Sequence, residues 1–388
     1  MITTLLLLLV VASWMYWLTA LWLVREFFQE EPAPVSASFA PPVSILKAVK
    51  GLDAQAYQNF VSFCEQDYPA YEILFGVDDP ADPAVPVIER LRDAFPQLRI
   101  RLVVAPVIGA NRKASILHEL ATQARHDILV ASDSDMRVTP DYLRRAVAPL
   151  ADPAVGLVTC PYRGKEAHTL TARLEALHMG VTFLPSVVVA RKFLNMRFAL
   201  GSSMALRRHD LELVGGFAAI SEYLADDYQI GARIFDLGRR VCLSTYVIAS
   251  VLGATSFREQ WDREVRWART TRASRPWEYT ALWITFSTPL ATGLLLAAGF
   301  GPTACLALIT SLLLRWLVAW LVPDYTGDDG VRRWLAWLPV RDMLSALVWV
   351  MGLLSKRIVW RGEEYIVLRG GRLQPRHSRL AEAAHKGG

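Results

Sequence analysis

Cysteine is scarce in this chain, and what there is of it is scattered. Its four residues, Cys64, Cys160, Cys242 and Cys305, lie far apart, with no Cys-x-x-Cys pair and no histidine at ligand spacing. That pattern argues against a disulfide framework or a thiolate metal centre and reads as reduced, packed thiols of a cytosolic region. Charge is sparse as well: 20% of residues are charged and 53% hydrophobic, which is too apolar for an ordinary soluble protein. No internal repeat and no low-complexity tract interrupts the 388 residues. No lysine or arginine precedes the first apolar run, Ile2 to Val24, which excludes the basic start of a cleaved signal peptide.

What is present is apolar at both ends. The run from Ile2 to Val24 is long enough to cross a bilayer, and Trp14, Tyr16, Trp17 and Trp22 suit an interfacial belt, so residues 1–25 read as a retained anchor. A Pro- and Ser-containing linker (26–42) leads into a globular region (43–255) and then a basic interfacial helix (256–278). Two apolar blocks, Ala281 to Phe300 and Thr303 to Val322, are divided by Gly301-Pro302 and suggest a transmembrane hairpin over 279–322. Arg315 lies inside the second block and is expected to snorkel or pair. Val340 to Leu354 is short for a span, begins with Arg341-Asp342 and follows Trp334 and Trp337; segment 323–358 is therefore expected to be re-entrant or interfacial. A basic cytosolic tail closes the chain (359–388).

The net charge of +5 is uneven, with Arg258, Arg263, Arg266, Arg269, Arg272 and Arg275 massed before the C-terminal apolar block. Anionic lipid headgroups explain clusters beside membrane segments; nucleic acid is not an expected partner. Positive-inside logic puts this stretch and the tail on the cytoplasmic side of a cell membrane.

Inside the globular region, apolar runs alternate with helical spacing. Strands are expected at 43–46, 72–77, 99–104 and 127–131, with helices at 59–65, 84–94 and 113–125 between them. Val155 to Cys160 reads as a strand, Thr169 to Ala190 as a helix kinked at Pro185, and Gly201 to Leu206 as a strand with room for a ligand at its small residues. Alternation of this kind implies an α/β fold with a mostly parallel, Rossmann-like sheet covered on both faces. Ligands in such sheets sit beyond the carboxyl ends of the strands.

Four stations fall in that frame: Asp78-Asp79 and Asp133-Ser134-Asp135 directly after strands, Asp226-Asp227 ahead of a helical segment, and Arg263-Glu264-Val265-Arg266-Trp267. Breaking a sugar–diphosphate bond concentrates negative charge on the departing phosphate, and a carboxylate-held Mg²⁺ or Mn²⁺ stabilises it. Asp133 and Asp135 alternate on an extended segment and share a side, so they are the expected metal ligands. Asp79 stands where it can accept from the base or ribose, and Lys47, Lys50 and Lys113 bring positive charge to the strand ends. Asp227, at a helix start, is the expected general base for an acceptor hydroxyl. A transporter explains the apolar ends but not these carboxylates. A non-catalytic lipid-binding scaffold keeps the fold and the basic face, and is told from an enzyme by loss of turnover on removing Asp227.

At these residues the chain resembles family-2-like, GT-A-fold glycosyltransferases, whose pattern is Asp, Asp-x-Asp, Asp, and Gln/Arg-x-x-Arg-Trp. It looks most like the ceramide glucosyltransferase group and bacterial hopanoid-biosynthesis-associated glycosyltransferases. The shared text includes Ser44 to Lys47, Lys50 to Asp53, Gln66 to Pro69, Val77 to Asp79, Asn111 to Lys113, Ser132 to Val138, Ala225 to Tyr228, Arg263 to Trp267 and Trp360 to Tyr365. The resemblance implies that Asp79 and Lys113 bind the nucleotide, Asp133 and Asp135 engage donor and metal, Asp227 is the base, and Arg263, Arg266 and Trp267 close over the diphosphate. It implies an inverting transfer from a UDP-sugar to a lipid hydroxyl in a bacterial inner membrane. The substrate pair is N-acetylglucosamine donor and a hopanoid polyol such as bacteriohopanetetrol, or alternatively UDP-glucose and ceramide. Animal ceramide enzymes tend to carry Gly where this chain has Asp135. The small membrane region argues against a processive polysaccharide synthase.

Overall fold

The structure is a computed structural model and describes residues 1–30, 39–360 and 363–376. Residues 31–38 of the expected linker, the pair Arg361-Gly362 and residues 377–388 of the tail lie outside the described residues.

Strands β1 (Val43–Ala48), β2 (Tyr71–Val77), β3 (Arg99–Val104) and β4 (Ile128–Ala131) pair in parallel, in the spatial order β3-β2-β1-β4. After the short β5 (Met136–Arg137) come β6 (Val155–Thr159), β7 (Tyr162–Ala167), β8 (Met204–Arg207), β9 (Arg240–Leu243) and β10 (Ile248–Gly253). Strand β8 runs antiparallel to both β4 and β6 and extends the sheet to seven strands, ending in β6 and β9. A second sheet, β5-β10-β7, stands beside it.

The alternation of side chains along these strands builds two cores. Val43, Ile45, Ile73, Phe75, Val77 and Val130 face one side, while Leu46, Leu74, Leu129 and Ala131 face the other. All are buried, at about 1.5–3 kcal/mol for each large side chain withdrawn from water. Helices Ala56–Cys64 and Val85–Ala94 cover the first side and Arg112–Gln123 the second. Parallel packing puts the ends of β1, β2 and β4 on one edge, and the antiparallel β8 brings its beginning there too.

Four helices among the described residues are long and apolar enough to cross a membrane by length and composition: Ile2–Gln29, Leu170–Phe193, Pro302–Thr326 and Asp329–Leu354. Two of these differ from expectation. The most apolar stretch of the helix over 170–193 is mostly buried in the protein, and the segment before Val340 continues into the last helix through a 3₁₀ stretch, Asp329–Trp337. The expected hairpin is also only half regular. Its first limb is broken into Pro276–Thr285 and Ser287–Ala297, bent by 66° at Phe286. Pro289 has no N–H to offer the carbonyl of Thr285, and the Trp17 indole donates to that carbonyl instead at 3.0 Å. The tail expected from residue 359 is partly folded: β11 (Arg357–Trp360), β12 (Glu363–Val367) and β13 (Leu373–Pro375) form an antiparallel sheet.

Arg315 pairs rather than snorkels. Its Nε and Nη2 donate to both oxygens of Asp342 at 3.0 and 2.9 Å, and its guanidinium lies 3.7 Å over the Trp17 ring. It also donates to Thr182 Oγ1 and to the Val181 carbonyl, the acceptor that Pro185 leaves without its helical N–H. The helix answers that proline with a π-type turn over Met179–Phe183, four residues ahead of where a kink was expected. Removing one partner strands a buried charge, so Asp342→Asn is expected to destabilise the protein by about 3–5 kcal/mol in detergent thermal unfolding. The apolar pair Arg315→Met/Asp342→Leu should recover most of that loss.

Candidate active site

A cavity of about 1150 Å³ opens at the edge where β1, β4 and β8 meet. It is large for a single small ligand, since pockets of this kind usually measure about 300–1,000 Å³. Asp53, Lys113, Asp133, Asp135, Asp226, Asp227, Arg263, Arg266 and Trp267 all contribute to its wall.

Each arrives by a different local device. Asp133 and Asp135 follow β4 in a loop held from beneath: Lys47 Nζ donates to the Asp133 carbonyl at 2.7 Å, and Ser132 Oγ to the Ser202 carbonyl at 2.9 Å. Asp135 accepts from Ser250 of β10 at 2.8 Å, while Ser134 donates to Asp53, which follows β1. Lys113 sits in the first turn of a helix capped by Asn111, whose side chain accepts from the Ala114 amide. Its Nζ bridges Asp133 (2.6 Å) and Asp226 (3.2 Å), so one cation ties the β4 loop to the helix Asp226–Asp236. Asp227 is fixed by backbone, accepting from the Gly201 amide at 2.9 Å and the Tyr228 amide at 2.7 Å. Gly201 is where these groups crowd: a Cβ there would stand 3.1 Å from Lys113 Nζ and 3.4 Å from oxygens of Asp133 and Asp227.

Crowded carboxylates in a buried place resist ionisation. Burial raises Asp135 to about 7, with Asp133 and Asp53 adding repulsion. Burial and Asp226 likewise raise Asp227 to about 6, against the pull of Lys113 and the two amides. Burial opposes the charge of Lys113, but Asp133 and Asp226 outweigh it and hold the ammonium above its ordinary range.

The arginine motif lies on the helix Phe257–Ser274, started by a capping box between Ser256 and Glu259. Arg263 is ion-paired with the buried Glu175 and lies over Trp267 at 5.8 Å; Arg266 lies over Trp360 at 5.7 Å. Trp267 is 40% exposed at the cavity wall.

Two expected site residues are placed otherwise. Lys47 is fully buried beneath the β4 loop, 3.4 Å over the Phe63 ring, and is not on the cavity wall. Burial lowers it to about 7, so in place of nucleotide binding its position fits support of the Asp133 backbone. Asp79 is exposed, accepts from the Ala81 amide at 2.8 Å in a local turn, and is not part of the cavity wall either. Lys50 does line the cavity, but its Nζ is engaged by Asp78 at 2.8 Å, which Arg112 also holds at 2.9 Å. Sequence reasoning gave no site role to Asp53, Glu175, Arg341 or Trp360, although all four are on the wall. Asp53 follows a parallel strand as the other aspartates do, and Glu175 is a lone acid in an apolar helix; both were available signals.

Among the described residues, no three His, Cys, Asp or Glu side chains are grouped to hold a metal alone. A two-carboxylate site fits a hard cation all the same, because Mg²⁺ and Mn²⁺ take their remaining ligands from diphosphate and water oxygens. Burial, with repulsion from Asp133 and Asp53 added, pushes Asp135 upward, and a cation there would favour its charged form. Asp133→Asn and Asp135→Asn should therefore each weaken Mn²⁺ binding, read by electron paramagnetic resonance with UDP present, by at least about tenfold. Asp79→Asn should leave it unchanged. Since Asp135 must lose its proton to bind, wild-type Mn²⁺ affinity should rise with pH through about 7.

Comparison with known proteins agrees with this geometry. The model of the family described as "Glycosyl transferase family 21" matches residues 5–373. Ceramide glucosyltransferase 3 of Caenorhabditis elegans is 24% identical over 350 residues, covering 87% of this chain and 75% of the relative. Ceramide glucosyltransferase 1 of the same nematode is 24% identical over 362 residues, covering 90% and 76%. Among solved structures, the mannosyltransferase PcManGT from Pyrobaculum calidifontis, in complex with GDP-Man and Mn²⁺, superposes with a TM-score of 0.57 at 20% identity, covering 90% of this chain and 99% of that one. The likeness shows a shared α/β GT-A-type fold. With the family model spanning nearly the whole length and the acidic cavity at the sheet edge, this chain is a glycosyltransferase and belongs to glycosyl transferase family 21.

Proposed function

We propose that this enzyme transfers a hexose from a UDP-sugar to the hydroxyl of a membrane lipid, with inversion at the anomeric carbon. The observation that carries the reading is that Asp133, Asp227 and Arg266 share one cavity, while Phe183, Val187, Phe286, Val348 and Trp349, from helices apolar enough to enter a membrane, share its wall. Ceramide with UDP-glucose is the first pair to test, because the relatives above are named ceramide glucosyltransferases. A hopanoid polyol such as bacteriohopanetetrol with UDP-N-acetylglucosamine is the second, supported by the motif text alone. The charge pattern supports residues 43–255 on the cytoplasmic side and an interfacial or re-entrant course for 323–358, while a bacterial inner membrane is supported by the motif resemblance alone.

In this mechanism the acceptor oxygen attacks the anomeric carbon as its proton passes to an oxygen of Asp227. The bond from that carbon to the diphosphate oxygen breaks, and the electron pair leaves with UDP. Asp133 and Asp135 would hold a divalent cation, which would supply charge neutralisation to the diphosphate. Arg266 and Arg263 add positive charge on the opposite wall, and Trp267 shields the bond from water. Lys113 acts by keeping Asp133 and Asp226 compensated, which leaves Asp135 and Asp227 as the carboxyls pushed toward neutrality, Asp227 being the one held by two backbone amides. Asp79 and Lys50, at the rim, would meet the nucleoside end only after local rearrangement of the turn and the Asp78 pair.

Asp227→Asn should lower kcat by at least about a hundredfold while UDP binding persists. Unchanged turnover would remove Asp227 as the base. Because its carboxyl is raised to about 6, the base form is lost as pH falls through that value, and kcat should drop along an acid limb centred there. Raising Mn²⁺ should not move this limb, whereas a limb owned by Asp135 would shift downward. Mass spectrometry of products from both substrate pairs decides the acceptor.

A further inference from the structure

Four helices, three of them lining the cavity, are joined by ionic contacts and hydrogen bonds that close on themselves. Arg263 on the motif helix pairs with Glu175, on the helix over 170–193. Six and seven residues along that same helix, Val181 and Thr182 accept from Arg315 of Pro302–Thr326. Arg315 holds Asp342 of Leu338–Leu354, and the preceding residue, Arg341, returns to the motif helix. There its Nη1 and Nη2 donate to the two oxygens of Glu264 at 2.8 and 2.7 Å. Arg263 and Glu264 are consecutive, so the circuit ends beside where it began. Arg341 is 2% exposed and Glu264 7%.

Such a circuit constrains rotation. Glu264 is gripped at both oxygens and also accepts from Gln260 at 2.7 Å, while Arg263 is gripped from another helix, so the motif helix is held on two adjacent bearings. One turn on from Arg263 stands Arg266, and beside it Trp267, both on the cavity wall. A small roll of the helix would carry them off the diphosphate path. Arg341 lines the cavity as well, yet its terminal nitrogens are engaged by Glu264 and its Nε donates to Ser345 at 3.2 Å, so it acts through Glu264 and not on substrate.

We infer that Arg341 is a positioning residue for the transfer, setting through Glu264 the angle at which Arg266 and Trp267 meet the leaving diphosphate. It follows that the packing of the C-terminal apolar helices governs the catalytic geometry. The inference rests on the functional reading above, which puts the diphosphate between the aspartates and the motif helix.

The test uses the full chain in phosphatidylcholine nanodiscs with whichever of the two substrate pairs the wild type turns over. Arg341→Gln should cut kcat by about a hundredfold while donor KM stays within about threefold, since the groups that bind the ground-state donor are untouched. Arg341→Lys, which keeps the charge but cannot grip both oxygens, should recover only part of that loss. Glu264→Leu/Arg341→Met replaces the pair by apolar contact and should restore thermal stability while kcat stays low. If kcat returned with stability in that double variant, the pair would be fold support only and the inference would be overturned. It would equally fall if Arg341→Gln turned over at the wild-type rate. A wild type inert toward both pairs would instead sink the functional reading, and this inference with it.

Discussion

The ammonium of Lys113, set between Asp133 and Asp226, is the contact on which the rest of the site depends. It joins the loop after β4 to the helix Asp226–Asp236, two segments that the chain visits almost a hundred residues apart. With those two carboxylates compensated, the surplus negative charge falls on Asp135 and Asp227, whose burial pushes both toward neutrality. In the proposed mechanism Asp135 would help to hold a cation and Asp227 would take a proton. Gly201 completes the arrangement by absence, since a side chain there would press on Lys113, Asp133 and Asp227 together.

Apolar helices impose a second discipline, because any polar group within them must find a partner inside the protein. Two prolines release carbonyls, at Val181 and Thr285, and each is taken by a long-range donor, Arg315 and Trp17. The breaks that interrupt regular helices thereby become joints between them. Glu175, Arg315, Arg341 and Asp342 lie where a simple anchor would be uniformly apolar. Their pairing links the membrane-side bundle to the arginine motif, so anchoring and catalysis are built from the same helices.

Much of the first half was legible because it follows local rules. Period-two apolar runs marked β1 to β4, the intervening helices carried their spacing, and carboxylates after strands marked the edge where ligands bind. Asp133, Asp135 and Asp227 met at that edge as their motifs implied. Lys47 misled because a lysine in a strand is read as a cation for ligands, while its ammonium here is buried against the Asp133 carbonyl. Asp79 stands apart because its neighbour Asp78 takes the ion pairs with Lys50 and Arg112 and leaves Asp79 in an exposed turn. Arg341-Asp342 was read as a reason for a helix to stop at an interface. In the structure each is neutralised by a partner 77 or 27 residues away, a distance over which no local pattern carries information. The C-terminal sheet stayed hidden for a related reason: Leu224, Ile358, Tyr365, Val367 and Leu373 form its core jointly, and none of the segments is strongly patterned alone.

The proposed reaction is one displacement at the anomeric carbon, with Asp227 receiving the acceptor's proton. Proton NMR of the lipid product, taken during the first turnovers with an α-linked UDP-sugar, reads its stereochemistry directly. A β-glycoside is the outcome required by that geometry. An α-glycoside would mean that the anomeric carbon is displaced twice or from the other face, and a single-base role for Asp227 would be contradicted.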